Sequence, residues 1–346
     1  MTGYGDLHDE LRSVAHDLLA KERLDWPLLV QAGWIGLEAP EHCGGAGATF
    51  AEVAVVLDEM GRAAASTAYL GGAVLSVGAL NALQPGDSRD QLLSELVAGQ
   101  IRAAVALPTD GSTVPRFRFD GATVSGRAEF VPDATDADDL LLLATGPRDQ
   151  LVVVRVPTGA LDVQRQPVLD ETRSLAIVSA NAVAVDESAV WAINTEAAAA
   201  LLDRARLAIA CDSLGLAQAM LDATVSYVRV REQFGRAIGS FQAVKHACAD
   251  MLVAVTVSRR LVDDAVEALA AGGPRAGTAV LMATAHACGS AVEVAGKAMQ
   301  LHGGIGYTWE SGIHVYLKRA ALNRSLFGSP AAHRKQLAER YENWRQ

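Results

Sequence analysis

The chain has 346 residues, of which 50% are hydrophobic, and it carries a formal net charge of −10 at pH 7. This length allows two or three domains around a large buried core. The acidic charge is spread along the chain without a basic block, which argues against nucleic acid as a partner.

Signals for export, membrane insertion and metal binding are absent from the sequence. The first residues (MTGYGDLHDELRSV) lack the charged-then-apolar layout of a signal peptide. The cysteines form neither a CxxC pair nor a Cys/His metal spacing, so we expect small buried residues. We therefore expect a cytoplasmic protein with no membrane span and no metal site. The cysteines are Cys43, Cys211, Cys248 and Cys288.

Residues 1–100 are predicted to be helical. Apolar side chains recur at intervals of three and four over 7–24. Thr49 begins a Thr-x-x-Glu capping box, which predicts a helix that runs to about Arg62. Glycine and proline interrupt the pattern at 34–47 and predict a loop. Further apolar segments are 26–33, 66–83 and 88–98.

Residues 101–192 have a different pattern. Short runs rich in Val, Leu and Ile are separated by Pro, Gly and Asp, which is typical of a compact β domain. The runs are 103–107, 123–131, 139–144, 150–156 and 174–185.

Residues 193–346 are predicted to form long helices. Similar apolar stretches cover 241–270 and 276–301, and shorter helices are expected from about Ser311 and over 331–344. Four or five such helices with short breaks predict an antiparallel bundle. In the first helix, apolar residues recur on one face: Leu207, Leu214, Ala217, Leu221, Val225 and Val228.

The first functional motif is an Arg-x-x-Phe-Gly segment that starts at Arg231. Gln233 and Phe234 lie inside it, and Gln242 follows in the next helix. A guanidinium offers a planar fork of donors to phosphate oxygens, and a phenylalanine ring can cover an adenosine. Alone, the same residues would be a solvated arginine and a core phenylalanine.

The second motif is MQLHGGIGYTW at 299–309. Glycines let backbone amides approach a ligand closely, and they end the preceding helix. For the histidine we favour a packed or solvated imidazole over a contact with a phosphate or a ring edge. The polar and glycine positions are Gln300, His302, Gly303, Gly304 and Gly306.

With the WIGLEAPEHCGGAG block at 34–47, these motifs resemble the flavin-binding signatures of the acyl-CoA dehydrogenase family over nearly the whole chain. The resemblance implies an α+β fold with an N-terminal helical domain (1–100), a middle β-barrel-like domain (101–192) and a C-terminal antiparallel four-helix bundle (193–346). It also implies FAD as the cofactor. The residues implied to face the FAD of a neighbouring subunit are Arg231, Gln233, Phe234, Gln300, His302, Gly303 and Gly304.

The positions of the family's catalytic base depart from the family pattern. The family's reaction removes an α proton with a glutamate while the β hydrogen leaves as a hydride to the flavin, which requires a carboxylate in a dry site. Most members place it in a Tyr-Glu-Gly-Thr segment, where this chain has LFGS with Phe327. A minority place it one residue before an arginine of the first bundle helix, where this chain has Ala205 before Arg206. The resemblance therefore implies no catalytic residue here.

The β domain departs as well. The family's Thr-Glu-Pro-x-Ala-Gly-Ser-Asp loop is here the shorter LPTDGST at 107–113. The family's Trp-Ile-Ser/Thr segment over the flavin ring is here Phe130-Val131-Pro132, and proline has no amide hydrogen to donate. We therefore expect the chain's own ring site to be dismantled.

The sequence thus predicts a non-catalytic subunit, similar to that of the heterotetrameric (α2β2) acyl-CoA dehydrogenases that actinobacteria use on steroid side chains. The resemblance implies a catalytic partner subunit that holds the acyl-CoA and the glutamate, with one FAD per heterodimer. It also implies α,β-dehydrogenation of a bulky acyl-CoA and electron transfer to an electron-transfer flavoprotein.

Two alternatives stay open. In the first, the chain is a self-sufficient flavin dehydrogenase with a displaced base such as Glu310, although a cap of the next helix is the favoured role of that carboxylate. In the second, it is a flavin-free scaffold subunit. The sequence does not decide whether Lys318, Arg319 and Arg324 form a solvated face or an interface patch.

Overall fold

The structure, a computed structural model, describes residues 3–21 and 24–344. Within them a helical N-terminal part, a mixed sheet and a helical C-terminal part follow one another, which confirms the predicted fold class. A π-helical segment, Tyr69–Leu75, leads into the fourth helix. The N-terminal helices are α1 Gly3–Lys21, α2 Trp26–Gln31, α3 Phe50–Arg62, α4 Ser76–Asn81 and α5 Asp87–Val97.

Helix α3 begins at the predicted capping box. The amide of Ala51 donates to Thr49 Oγ1 at 3.1 Å, and the Thr49 amide donates to a Glu52 carboxylate oxygen at 2.8 Å. These reciprocal bonds satisfy polar groups that the start of a helix leaves unpaired. The helix ends at Arg62, as predicted.

The middle part is built from the strands β1 Ala103–Ala106, β2 Phe117–Phe119, β3 Thr123–Pro132, β4 Asp139–Thr145, β5 Leu151–Pro157, β6 Asp162–Arg165, β7 Leu175–Ala184 and β8 Val190–Ala192. They form one eight-stranded sheet in the order β6-β7-β3-β2-β4-β5-β8, with β1 paired to β4. The β1–β4 and β2–β4 pairs are parallel, and the other pairs are antiparallel.

Strand β4 is buried on both faces. Leu140 and Leu142 lie in the core of the sheet domain, whereas Leu141 and Leu143 pack into the core that the helices share. This alternation follows from the two-residue period of a strand. The sheet is therefore anchored to the helices through its central strand.

The C-terminal part consists of α6 Thr195–Val230, α7 Gln242–Ala271, α8 Ala276–His302, α9 Ile313–Asn323 and α10 Pro330–Trp344, with a short hairpin of β9 Glu232–Gln233 and β10 Arg236–Ala237 between α6 and α7. The predicted apolar face of α6 is confirmed, since five of its six residues are buried and Val225 is half-buried. One segment, Ala276–Tyr307, is long and apolar enough to span a membrane. However, 67% of its most apolar window is buried, as expected of a bundle core helix.

Helices α3 and α6 approach closely at two glycines. A Cβ on Gly61 would lie 2.1 Å from the carbonyl oxygen of Asp212, and one on Gly215 would lie 1.9 Å from that of Asp58. A larger residue at either position would push the helices apart. The N-terminal helices are therefore held against the bundle by backbone contact.

Arg319 is buried, so it belongs neither to a solvated face nor to an interface patch, the two arrangements that the sequence left open. Its guanidinium reaches Asp212 on α6, with Nε 3.1 Å from Oδ2, and Asn323 donates to the same oxygen at 2.6 Å. Arg173, from the loop before β7, lies 3.0 Å from Asp212 as well. The exposed Arg324 does not join this cluster, because the turn that ends α9 directs it outward.

Candidate functional site

The two sequence motifs meet at one end of the bundle. Tyr227, in the last turn of α6, stacks on His302, in the last turn of α8, with ring centroids 4.3 Å apart. The Tyr227 hydroxyl also donates to the carbonyl oxygen of His302 at 3.4 Å. Because α6 and α8 end side by side, the hairpin 231–237 and the glycine turn 303–307 share a surface.

The hairpin presents its side chains to solvent. Phe234 and Gly235 form the turn with φ of 53° and 76°, a left-handed pair of the kind that tight hairpins require. Phe234 is 91% exposed, and its ring meets only the edge of Phe241, at a centroid distance of 6.1 Å. Gln233 is exposed as well, and Arg231 is exposed and makes no ion pair within the described residues.

The glycine turn is open on its outer side. Gly303 and Gly304 are exposed, and a Cβ at either would meet nothing within 4 Å. Gly306 is different, because its Cβ would lie 2.7 Å from the carbonyl oxygen of Met299 and so would prevent the turn from folding onto α8. Gln300 is exposed beside the turn.

His302 lies beneath the surface that the hairpin and the glycine turn share. Its side chain is buried, and Nδ1 donates to the carbonyl oxygen of Ala298 at 2.8 Å. The ring is packed, as favoured from the sequence, and only Nε2 remains to meet a ligand.

Both predicted base positions are buried in the core that the helices share. Ala205 on α6 is fully buried, and Phe327, in the turn before α10, is 1% exposed. Arg206 connects them, since its Nε donates to the carbonyl oxygen of Phe327 at 3.4 Å. The guanidinium also pairs with Asp203 at 2.8 Å. The place that a base would occupy is thus filled by an aromatic ring and a methyl group.

Glu310 does not have the environment of a base in a dry site. It is fully exposed, and hydrogen bonds from its own backbone amide and from Thr308 lower its pKa. A base sequestered from water would have a raised pKa instead. The predicted helix cap is also wrong, because α9 starts after Gly312 without a side-chain cap.

The loop at the expected ring site packs against the C-terminal part of the chain. The 107–113 loop packs on the turn after Phe327, so that a Cβ on Gly111 would lie 3.1 Å from the Cα of Gly328. Gln336 of α10 donates to the carbonyl oxygen of Gly111 at 3.1 Å. The nearby cavity of about 330 Å³ is lined in part by two ion pairs, Arg116–Asp110 and Arg127–Glu129.

Asp133 directly follows the Phe130-Val131-Pro132 segment, and its side chain is buried. Burial raises its pKa to about 7, although the amide of Gly71 donates to Oδ2 at 2.8 Å. This bond ties the sheet domain to the π-helical segment Tyr69–Leu75. Burial also raises the pKa of Asp212, but the charges of Arg319 and Arg173 outweigh it and lower the value to about 2.

Arg204 was not singled out from the sequence. It lies beside Ala205, donates from Nε to the carbonyl oxygen of Val74 at 2.7 Å, and forms an ion pair with Glu38. A Cβ on Gly78 would lie 2.3 Å from its Nε, so the arginine fills the space that this glycine leaves. No local pattern could have revealed it, because its partners lie far away in the chain.

The residues present fit one half of a FAD site. The exposed hairpin and the open glycine turn offer a guanidinium, an aromatic ring and exposed backbone, which suit a pyrophosphate and an adenosine. At the expected ring site, the cavity beside the 107–113 loop is lined in part by two ion pairs. The arrangement can therefore support a cofactor from outside the chain but has no proton-accepting group at either predicted base position.

The comparisons with known proteins agree with this fold. The acyl-CoA dehydrogenase N-terminal domain profile matches residues 7–100, and the C-terminal domain profile matches residues 195–342. The acyl-CoA dehydrogenase IpdE2 of Mycolicibacterium smegmatis is 32% identical over 315 residues, covering 90% of this chain and 86% of that protein. IpdE2 of Mycobacterium tuberculosis is 33% identical over 308 residues, covering 88% and 82%.

Solved structures share the fold over nearly the full length. A variant of the Tcur3481–Tcur3483 steroid acyl-CoA dehydrogenase superposes with a TM-score of 0.88 at 29% identity, covering 99% of each chain. The ChsE4–ChsE5 complex of Mycobacterium tuberculosis gives a TM-score of 0.89 at 24% identity, covering 97% of each chain.

Proposed function

Since the chain belongs to the acyl-CoA dehydrogenase family, whose members generally bind FAD, we propose that it is the non-catalytic subunit of a heteromeric FAD-dependent acyl-CoA dehydrogenase. A catalytic partner subunit of the same family holds the flavin ring, the acyl-CoA and the glutamate base. This chain completes the FAD site across the interface, so that the heteromer, an α2β2 tetramer, carries one FAD per pair of chains.

The observation that carries the proposal is the contrast between two parts of one chain. Both base positions, Ala205 and Phe327, are buried and apolar, while the motif residues at the end of the bundle are exposed. The hairpin exposes a phenylalanine and an arginine that has no ion pair within the described residues. In the isolated chain, the exposed ring lowers solubility and makes no core contact. Both exposed side chains are explained by a ligand and a partner that cover them.

Each motif residue then has a definite role. The Arg231 guanidinium binds the pyrophosphate, and the amide of Gly304 donates to the same phosphates. The amide of Gly303 already donates to the carbonyl oxygen of Gln300. Phe234 covers the adenosine, and Gln233 and Gln300 supply amide groups at its edge. When bound, FAD accepts the hydride from the β carbon of the acyl-CoA, and the α proton goes to the partner's carboxylate.

The substrate class is proposed from relatives. The Tcur3481–Tcur3483 enzyme is described as a steroid acyl-CoA dehydrogenase and is named for two chains. We therefore assign a bulky, steroid side-chain acyl-CoA to the heteromer that contains this chain, with an electron-transfer flavoprotein as the electron acceptor and the cytoplasm as its location.

The experiment is to purify this chain alone and together with the same-family protein encoded beside it. The expected results are a colourless lone chain and a yellow complex that contains one FAD per pair of chains and oxidises a steroid acyl-CoA. A yellow homo-oligomer with one FAD per chain would contradict the proposal and would favour the self-sufficient enzyme. An active complex in which Arg231→Ala leaves the FAD content unchanged would favour the flavin-free scaffold.

A further inference from the structure

Three potential metal ligands meet between the 34–47 loop and α5. His42 and Cys43 lie in the short 3₁₀ turn Glu41–Cys43, and Asp90 lies in the first turn of α5. The three ligand atoms, one from each residue, all lie within 4.8 Å of one another. His42 Nε2 and Asp90 Oδ2 are 3.5 Å apart. Within the described residues, no other group of three His, Cys, Asp or Glu ligands is this compact.

The turn that carries two of the ligands is held in place by its backbone. The amide of Cys43 donates to the carbonyl oxygen of Pro40 at 2.9 Å, and Gly44 ends the turn with a φ of 82°. A Cβ on Gly45 would lie 2.0 Å from the carbonyl oxygen of Ala39, so the following residue must be glycine for the loop to close. Ligands on a rigid turn lose little conformational freedom when a metal binds.

The third ligand is positioned by its helix and by a buried arginine. The amide of Asp90 donates to the carbonyl oxygen of Gly86 at 2.8 Å, which places the residue in the first helical turn. Its Oδ1 lies 2.7 Å from Nη1 of Arg89, whose side chain is 5% exposed. That oxygen is buried, yet the geometry gives it no hydrogen bond. The Arg89 charge holds this oxygen, which leaves Oδ2, the oxygen nearer to His42, as the candidate metal ligand.

The ligand types select the metal. An imidazole, a thiolate and a carboxylate are together the donors of Zn²⁺ sites, at ligand distances of about 2.0–2.3 Å. Three protein ligands leave a fourth tetrahedral position for water. His42 is 62% exposed and Asp90 29% exposed at their side chains, so this position faces solvent, whereas Cys43 forms the buried base of the site.

We propose that His42, Cys43 and Asp90 bind one Zn²⁺ per chain. The metal joins the 34–47 loop to α5, and Arg89 supports Asp90 from the buried side. The proposal is independent of the assigned enzymatic role, because none of its residues belongs to the hairpin 231–237 or the glycine turn 303–307.

The test uses the full-length chain, stripped of metal and titrated with Zn²⁺ against a coloured chelator and with Co²⁺ in a spectrometer. We expect one Zn²⁺ per chain and a cobalt spectrum with a thiolate charge-transfer band. His42→Ala, Asp90→Asn and Cys43→Ser should each weaken Zn²⁺ binding about tenfold or more. Cys43→Ser should also abolish the charge-transfer band.

The matched controls are His246→Ala and Cys248→Ser on α7, an exposed histidine and a half-buried cysteine outside any such cluster. They should leave the affinity unchanged. Zn²⁺ should raise the melting temperature of the parent chain and not that of His42→Ala, because only binding to the folded state stabilises it. Equal affinity in the parent chain, His42→Ala and Asp90→Asn would overturn the proposal, as would a cobalt spectrum without thiolate ligation.

Discussion

Tyr227 stacks on His302 at a centroid distance of 4.3 Å, and this contact aligns the ends of two helices whose sequences carry separate cofactor motifs. The hairpin that follows Tyr227 and the glycine turn that follows His302 therefore form one surface. The histidine supports this surface from below, because its Nδ1 is bound to the Ala298 carbonyl oxygen.

Replacing Arg231 with alanine in the heteromer should weaken FAD binding about tenfold to a hundredfold. A charge-assisted hydrogen bond contributes about 1.5–3 kcal/mol, and about 1.4 kcal/mol corresponds to one factor of ten. The measurement is the release of flavin fluorescence on dilution of the complex. Arg324→Ala, which removes an exposed arginine of α9, should leave the release unchanged. Equal FAD retention in the two variants would remove Arg231 from the site.

Replacing Phe327 tests whether the side chain at this predicted base position stabilises the fold by packing. Phe327→Ala should lower the free energy of unfolding by about 3–5 kcal/mol, because it empties a fully buried site. Phe130→Ala is the matched control, since Phe130 is half-buried and also has a positive φ, and it should cost less. Urea unfolding measures both, and equal losses would contradict the packing role.

Phe327→Glu tests the chemistry of the same position. We expect no dehydrogenase activity from the lone chain, because in the proposed heteromer the partner subunit holds the flavin ring and the acyl-CoA. Activity with an acyl-CoA and an artificial electron acceptor would mean that the lone chain holds a working flavin, which would contradict the proposed subunit role.

The buried ion cluster around Asp212 should be a large contributor to stability. Asp212→Asn leaves Arg319 and Arg173 without their counter-charge and should cost about 3–5 kcal/mol. Asp222→Asn on the same helix breaks an exposed pair with Arg62 and should cost less than about 1 kcal/mol. Comparing the two midpoints in urea checks this, and similar shifts would show that the cluster contributes little.

Asp133 should make stability fall between about pH 4 and pH 7. Its pKa is raised to about 7 in the folded chain, so the folded state keeps a proton that the unfolded state has released. The stabilisation is complete below the unfolded pKa of about 4 and is lost as the pH rises through about 7.

The measurement is the pH dependence of unfolding in the parent chain and in Asp133→Asn. The difference between the two profiles separates the contribution of Asp133 from that of His333. Burial and the charge of Arg206 lower the pKa of His333 to about 4. His333 acts with the opposite sign, because its contribution is lost as the pH falls from about 6.5 to about 4. A parent chain and variant with parallel pH profiles would contradict the role of Asp133.

The sequence predicted the regular elements well and the surroundings of single residues less well. The capping box at Thr49, the apolar face of α6 and the longer strands were correct, because each depends on side chains within one or two turns of the backbone. The short strands β2, β6 and β8 were missed. They have three or four residues each and are strands because neighbouring strands pair with them.

The candidate site divides in the same way. The two motifs and the absence of a carboxylate at Ala205 and Phe327 are legible in the sequence alone, because they are properties of residue types at fixed spacings. The burial of Arg319 could not be predicted, because it depends on Asp212, far away in the chain. The exposure of Glu310 could not be predicted either, because it depends on how a turn faces solvent.

The sequence by itself determined the family, the order of the three parts and the apolar residues at both predicted base positions. Only the tertiary structure decided that Arg206 binds the backbone of Phe327, that the 107–113 loop packs on the turn after Phe327, and that Asp90 lies beside His42 and Cys43. The physical reason is that periodicity and turn chemistry act over a few residues, whereas these contacts depend on the path of the whole chain through its shared core.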